Sequence, residues 1–282
     1  MAPTAPIQDA PTQDASIQLS FPEADIALLT FDLPGKGANI LSNRVMQELS
    51  DHLDQLARRE DLAGVIVNSA KSSIFIAGAD INEFAASMQV DQQRTYEMSR
   101  WGQTLFGRLR EGNWVSVAAI HGTCLGGGTE RALGCDRRIV SNSDKTEIGL
   151  PEEKLGILPG WGGTVRMSRQ IGLGNAVKVV TSGNSVSPKQ ALALGLADDV
   201  VPPEELVAAA IRLIREEQQT KAYLADRQRQ AGPIAISETE LGFLGATASA
   251  YIQAETKGQY PAPMVALEVL MGGAMVDASD AL

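Results

Sequence analysis

The sequence predicts an α/β domain with strands gathered in its first half and helices in its second. Short apolar runs of strand length, "AGVIVNSA", "WVSVAAI" and "RRIVS", fall in the first half. Stretches of helical period follow one another from "TVRMSRQIG" onward. Strands and helices also do not alternate one for one, which separates the chain from a dinucleotide-binding doubly wound sheet.

"IQLSF" and "DIALLTFD" form a hairpin of strands, and "LPGKGANIL" is a loop. Ser42 caps a helix over "SNRVMQELSDHLDQLARRE", with Val45, Met46, Leu49, Leu53 and Leu56 on one face. "AGVIVNSA" is a buried strand, and "KSSIFIAGADINEF" is a loop turning into a short helix. A long amphipathic helix covers residues 90 to 112, and the strand "WVSVAAI" leads into "HGTCLGGGTERALGCD". After "RRIVS", the helices "TVRMSRQIG" and "NAVKVVTSG" each end at glycine. Ser187 and Pro188 begin "SPKQALALG", "PPEELVAAAIRLIREEQ" follows, and the last sixty or so residues read as helical. No period of 20 to 50 residues repeats, which argues against a solenoid.

Composition excludes several classes. With 282 residues, 44% of them hydrophobic, the chain can bury a substantial core. A net charge of −10 argues against a general nucleic-acid binder. Cys124 and Cys135 sit in apolar, glycine-rich surroundings and read as buried thiols of a reducing, cytoplasmic setting. Residues 1–15, rich in Pro, Ala, Thr and Gln, read as a disordered tail and carry neither an apolar signal segment nor a basic transit pattern. No apolar run is long enough for a membrane span.

Three segments carry chemistry. The run of three glycines before Thr129 and Glu130 follows a strand and opens a helix. Glycine in a helix costs about 1 kcal/mol relative to alanine, and a buried carboxyl is costly unless paired or protonated. Unpaired N–H groups at the helix start make a potential anion site, although a tight turn alone would also use such glycines. "IFIAGAD" is a second glycine loop before a helix and offers the N–H of Ala79. Two converging N–H groups form an oxyanion hole for a carbonyl becoming enolate-like. The third segment, "GLPEEKLGILPGWGG", places Glu152 after Pro151 in apolar surroundings; taken alone, Glu152 is a first-turn acid favoured by the helix dipole. Together the segments suit proton transfer beside a carbonyl. Burial and mutual repulsion raise carboxyl pKa values, so one glutamate can hold a proton while the other stays ionised. His52 reads as a boundary residue and His121 as a backbone hydrogen-bonding partner; no nucleophile elbow, zinc spacing or phosphate-binding fingerprint accompanies them.

"FIAGADI", "IHGTCLGGGTERALGCDRRI", "LPEEKLGILPGWGGTVRM" and "SPKQALALGLADDVVPPEEL" resemble, in order and spacing, the signature regions of the crotonase (enoyl-CoA hydratase/isomerase) superfamily. The resemblance covers residues 16 to 276. It implies a spiral of β-β-α units in a core over 16–200 and a helical C-terminal region over 201–258. It also implies Glu130 and Glu152 as catalytic carboxylates and the N–H groups of Ala79 and Gly127 as the oxyanion hole. Ala77, Gly78, Gly126, Pro159, Gly160 and Trp161 are the implied substrate-binding residues. The implied reaction is syn hydration of a trans-2-enoyl-CoA, with Δ3–Δ2 isomerisation open to the same pair. No added cofactor is needed, because coenzyme A belongs to the substrate. Other acyl-CoA reactions on the fold, hydrolysis or decarboxylation, and a catalytically silent scaffold are the rivals.

Two residues depart from the family pattern, and the tail narrows the resemblance. Arg131 follows Glu130 where an apolar residue is usual; pointing at Glu130 it would lower that acid's pKa, and pointing away, the direction favoured by the about 100° between adjacent helix positions, it is a solvated or interface charge. Trp161 is bulkier than usual and reads as core packing or as a wall of the acyl pocket. "KGQYPAPMVALEVL" resembles the multifunctional fatty-acid oxidation members, in which it leads towards a 3-hydroxyacyl-CoA dehydrogenase part. Residues 259–282 are accordingly expected to be a connector helix towards a missing downstream domain. The chain would then be an N-terminal piece that does not bind NAD by itself. The partners implied are a homo-oligomer, or a dehydrogenase part and a thiolase subunit.

Overall fold

The computed structural model describes residues 15–88 and 92–282, so nearly all of the expected N-terminal tail and the start of the long helix lie outside the described residues. Strands β1 (Ile17–Glu23) and β2 (Ile26–Phe31) form the expected antiparallel hairpin. Helix α1 (Asn43–Ala57) is capped by Ser42, whose hydroxyl accepts from Val45 N, and it buries the five apolar residues read from its period. Strand β3 (Gly64–Ser69) runs parallel to β2.

Three β-β-α units then follow. The first joins β3 to β4 (Ile74–Ile76) and helices α2 (Ile81–Met88) and α3 (Gln92–Gly107), the latter tightening into a 3-10 turn at Arg108–Arg110. The second is β5 (Val115–Ile120), β6 (Thr123–Leu125) and α4 (Gly127–Leu133). The third is β7 (Arg137–Ser141), β8 (Glu147–Gly149), a 3-10 turn at Glu152–Leu155 and α5 (Gly163–Ile171). Strands β3, β5 and β7 are successive parallel neighbours in a six-stranded sheet, while β4, β6 and β8 are successive parallel neighbours in a three-stranded one. Each turn of the spiral thus adds one strand to each sheet. No sequence period marks it because two helices separate β4 from β5, and one separates β6 from β7.

Helices α6 (Leu173–Ser182) and α7 (Pro188–Ala193) lead to a strand in the second half, β9 (Asp199–Val201), which closes the large sheet against β7. Helices α8 (Leu206–Thr220), α9 (Ala222–Ala231), α10 (Glu238–Thr256), α11 (Ala262–Gly272) and α12 (Ala278–Ala281) complete the chain. None of the described helices is long and apolar enough to cross a membrane.

The large sheet is covered on both faces, so its central strands are continuously apolar rather than alternating. On β5, Val115, Val117 and Ala119 join Ala209, Ala210 and Ile214 of α8, whereas Ala118 and Ile120 join the main core with α1. Helix α11 buries Ala262, Pro263, Ala266, Leu267 and Leu270. It packs chiefly on α6 and α10 and leaves Val265 and Val269 exposed. Tyr260, just before it, donates its hydroxyl to Glu153 O.

Strands β4, β6, β8 and β9 fall in segments read as loop or left unassigned. Each has three residues, too few for a period of two to register. His121 is held as expected, with Nε2 2.8 Å from Ser72 O and Nδ1 2.9 Å from Ser141 Oγ. His52 is half-buried, and its Nε2 is 3.2 Å from Ile17 O. Both cysteines are free and buried.

Candidate active site

The site lies where the second strands of the units end. Asn39 builds its first wall. It is fully buried; its Oδ1 accepts from Leu33 N, and its Nδ2 donates to Phe31 O, Ser69 Oγ and Phe75 O. This pins the preceding loop beside the "IFIAGAD" segment. Ala77 N donates to Asn39 O at 2.8 Å, Leu41 N to Gly78 O at 2.8 Å, and Asp80 N to Leu41 O at 3.1 Å. The residues on either side of Ala79 are thereby engaged, and the Ala79 N–H is left without a protein acceptor among the described residues.

The glycine run forms the second wall. Gly126 has φ +53°, a conformation that favours glycine. Its N–H donates to Gly149 O at 3.0 Å, so it serves the turn rather than an incoming ligand. Gly127 begins α4, and its N–H has no intrahelical acceptor. Thr129 Oγ1 lies 2.7 Å from Cys124 O and 2.8 Å from Gly149 O, tying the start of α4 to β8 and so to the segment that carries Glu152. The two glycine loops and the second acid meet at one point. A Cβ placed on Gly126 would lie 3.9 Å from Gly78 Cα and 3.0 Å from Glu152 Oε1.

Glu130 is 2% exposed. Its Oε1 accepts from Trp161 N at 2.7 Å and from Gly163 N at 2.8 Å, while Oε2 has no protein donor among the described residues. Burial raises its pKa to about 7, against the pull of those two N–H groups and of the Arg166 charge. Glu152 is pushed further, to about 9, first by burial and then by repulsion from Glu130. The two acids are thus electrostatically linked, and repulsion separates their protonation.

Trp161 places its indole in the same region. It makes an edge-to-face contact with Phe106 at 5.6 Å between ring centroids and fills the space that a side chain at Gly102 or Gly127 would need. A recess of about 20 Å³ beside Ala79 is walled by Leu41, Met46, Phe84, Met98, Trp101 and Trp161. It adjoins a recess of about 430 Å³ that reaches Asn43, Glu83, Arg94 and Glu97. Pro159 is buried against Gly163, and Gly160 O accepts from Gln103 Nε2 at 3.0 Å.

Arg131 is a correction. It is neither solvated nor at a surface but fully buried, because every residue of α4 is enclosed. Among the described residues Nη1 alone is engaged, with Cys135 Sγ at 3.5 Å, and Nε and Nη2 have no hydrogen-bond partner. Sequence reasoning also passed over Asn39, Gln103 and Arg166. For Asn39, the available signal is an asparagine directly before the apolar pair Ile40 and Leu41. Among the described residues no group of three or more His, Cys, Asp or Glu side chains could hold a metal ion.

Residues 22–231 match the family model described as enoyl-CoA hydratase/isomerase. The chain belongs to the enoyl-CoA hydratase/isomerase family. A curated relative, the fatty acid oxidation complex subunit alpha of Shewanella amazonensis (strain ATCC BAA-1098 / SB2B), is 36% identical over 264 residues. The alignment covers 92% of this chain but 36% of that protein, so the chain spans about a third of the relative's length. Among solved structures of this fold, an enoyl-CoA hydratase from Bacillus anthracis is 27% identical with a TM-score of 0.67, over 89% of this chain and 91% of that one. Pseudomonas aeruginosa DspI is 30% identical with a TM-score of 0.66, over 80% and 87% of the two chains. This enoyl-CoA hydratase/isomerase member therefore shares its mixed α/β architecture with known hydratases.

Proposed function

We propose that this chain adds water to trans-2-enoyl-CoA thioesters in fatty-acid oxidation. The observation that carries the proposal is the linked pair of buried carboxyls beside two glycine loops with unengaged N–H groups. In this reading Glu130 is the base. With Oε1 held by two N–H groups, Oε2 orients a water and takes its proton as the oxygen bonds to C3. The electron pair of the C2–C3 double bond moves onto the thioester, and the N–H groups of Ala79 and Gly127 hold the enolate-like oxygen. Glu152, protonated near neutral pH, gives its proton to C2. Proton exchange between the acids, or with solvent, restores the starting state. Trp161 and its neighbours wall the acyl chain. No added cofactor takes part.

The same acids support Δ3–Δ2 isomerisation, with Glu152 carrying the proton. The curated relative is a complex subunit, and we infer a cytoplasmic enzyme that associates through its C-terminal helices with copies of itself or with dehydrogenase and thiolase components. Loss of the conjugated-thioester absorbance of crotonyl-CoA tests the central claim. Glu130→Gln and Glu152→Gln should each lower kcat at least about a hundredfold while acyl-CoA binding survives. Near-wild-type turnover in either variant refutes the assignment of that acid. Release of free thiol without hydration would favour a hydrolase, and inertness of the wild type a scaffold.

A further inference from the structure

We propose that Arg166 is a positioning residue for Glu130: its guanidinium fixes the loop that grips the carboxylate and supplies a buried positive charge that favours its ionised form. The inference rests on the hydratase reading. Arg166 lies on the first turn of α5 and reaches back over the loop before it. Nη1 donates to Trp161 O at 2.6 Å, and Nη2 donates to Gln103 O at 2.8 Å on α3. Gln103 in turn donates from Nε2 to Gly160 O at 3.0 Å. Gly160 O and Trp161 N belong to one peptide group. Holding that oxygen therefore aims the N–H that grips Glu130. Trp161 O belongs to the next peptide and Gly163 N to the one after. The clamp spans the whole turn.

Gly162 makes the clamp possible. Its φ is +97°, and a Cβ there would lie 2.5 Å from Arg166 Nη1. Among the described residues the guanidinium bonds only to carbonyl oxygens, and no carboxylate of theirs neutralises it by direct contact. Burial lowers its pKa to about 10, and the charge of Glu130 raises it again; it remains a cation at neutral pH.

The surroundings leave Arg166 as the cation acting on Glu130. Arg131, on the same helix, bonds to Cys135. Arg169, further along α5, donates to carbonyls of Val165, Gly232, Gly273 and Val276. Strand β4 brings no titratable group, and β6 brings Cys124, which contacts Thr129. Glu152 and Glu153 come from the 3-10 turn, and Glu152 is the linked acid. On its far side Arg166 faces Arg110, and Glu111 lies across Gly107. The cation therefore acts on one acid of the pair. It breaks the symmetry between base and proton donor.

Two substitutions separate charge from clamp. Arg166→Gln keeps a donor for Trp161 O and removes the charge. The acid limb of its kcat–pH profile should move up by about one pH unit. Arg166→Lys keeps the charge and loses the two-armed bridge. Its kcat should fall while its acid limb stays at the wild-type pH. Equal losses at every pH in both variants, with unmoved limbs, would make Arg166 merely structural and overturn the proposal. If the glutamine variant does not fold, a limb that rises in Arg166→Lys overturns it equally. Carboxyl 13C NMR titration, with Glu130 assigned through Glu130→Gln, reads the same shift without turnover. An inactive wild type would thus refute the hydratase reading while leaving Arg166 to be decided by NMR.

Discussion

Replacing Glu153 by methionine should stabilise the protein by an amount that grows with pH. Glu153 is 1% exposed, and among the described residues neither carboxyl oxygen has a hydrogen-bond partner. Burial pushes its pKa from 4.5 up to about 8, against a smaller opposing pull from its own backbone and from Lys154. The sign follows from linkage. Below about pH 4.5 both folded and unfolded chains hold the proton. Above it the unfolded chain releases the proton and the folded chain does not. Folding then loses up to about 1.4 kcal/mol per pH unit until the folded group titrates near pH 8. Methionine has similar length and nothing to ionise. The difference in unfolding free energy between Glu153→Met and wild type should therefore widen from pH 5 to pH 8 and then level off. Urea unfolding at half-unit pH intervals measures it. Glu130 and Glu152 titrate in both proteins and largely cancel in the difference. A gap that stays constant with pH would refute the reasoning, because it would mean that Glu153 does not enter the folded core as a protonated acid.

Gly126→Ala should strain the turn by about 1–3 kcal/mol and press Glu152 out of place; kcat should fall on the order of 10- to 100-fold, and steady-state hydration kinetics with an unfolding curve would show whether it does. Arg227→Met should destabilise by about 3–5 kcal/mol. It removes a two-bond contact to Asp136, whose side chain is 2% exposed and also accepts from Ser116 N and Oγ. Adding Asp136→Asn should recover part of that loss in thermal unfolding, since the orphaned charge is then gone.

Local chemistry made several features legible in the sequence. The capped helix with Val45, Met46, Leu49, Leu53 and Leu56 needs only a period and a serine. The strand ending at Ile120 needs only a run of apolar residues covered on both faces. The glycine run, the "IFIAGAD" loop and the two glutamates are legible as a constellation because glycine and buried acid are each costly without a use. Three-residue strands such as β6 and β8 are not legible. Their identity comes from neighbours distant in sequence, which supply the hydrogen bonds. Arg131 shows the same limit: its direction away from Glu130 follows from helix geometry, but whether water lies there depends on what packs around α4. The sequence by itself determined which residues could do proton transfer. Only the tertiary structure decided how their surroundings differ, because the Glu130 grip comes from the 161–163 turn, the clamp on that turn from α3 and α5, and a nearby charge from Arg166. Electrostatic effects depend on distance and burial through space, and spacing along the chain encodes neither.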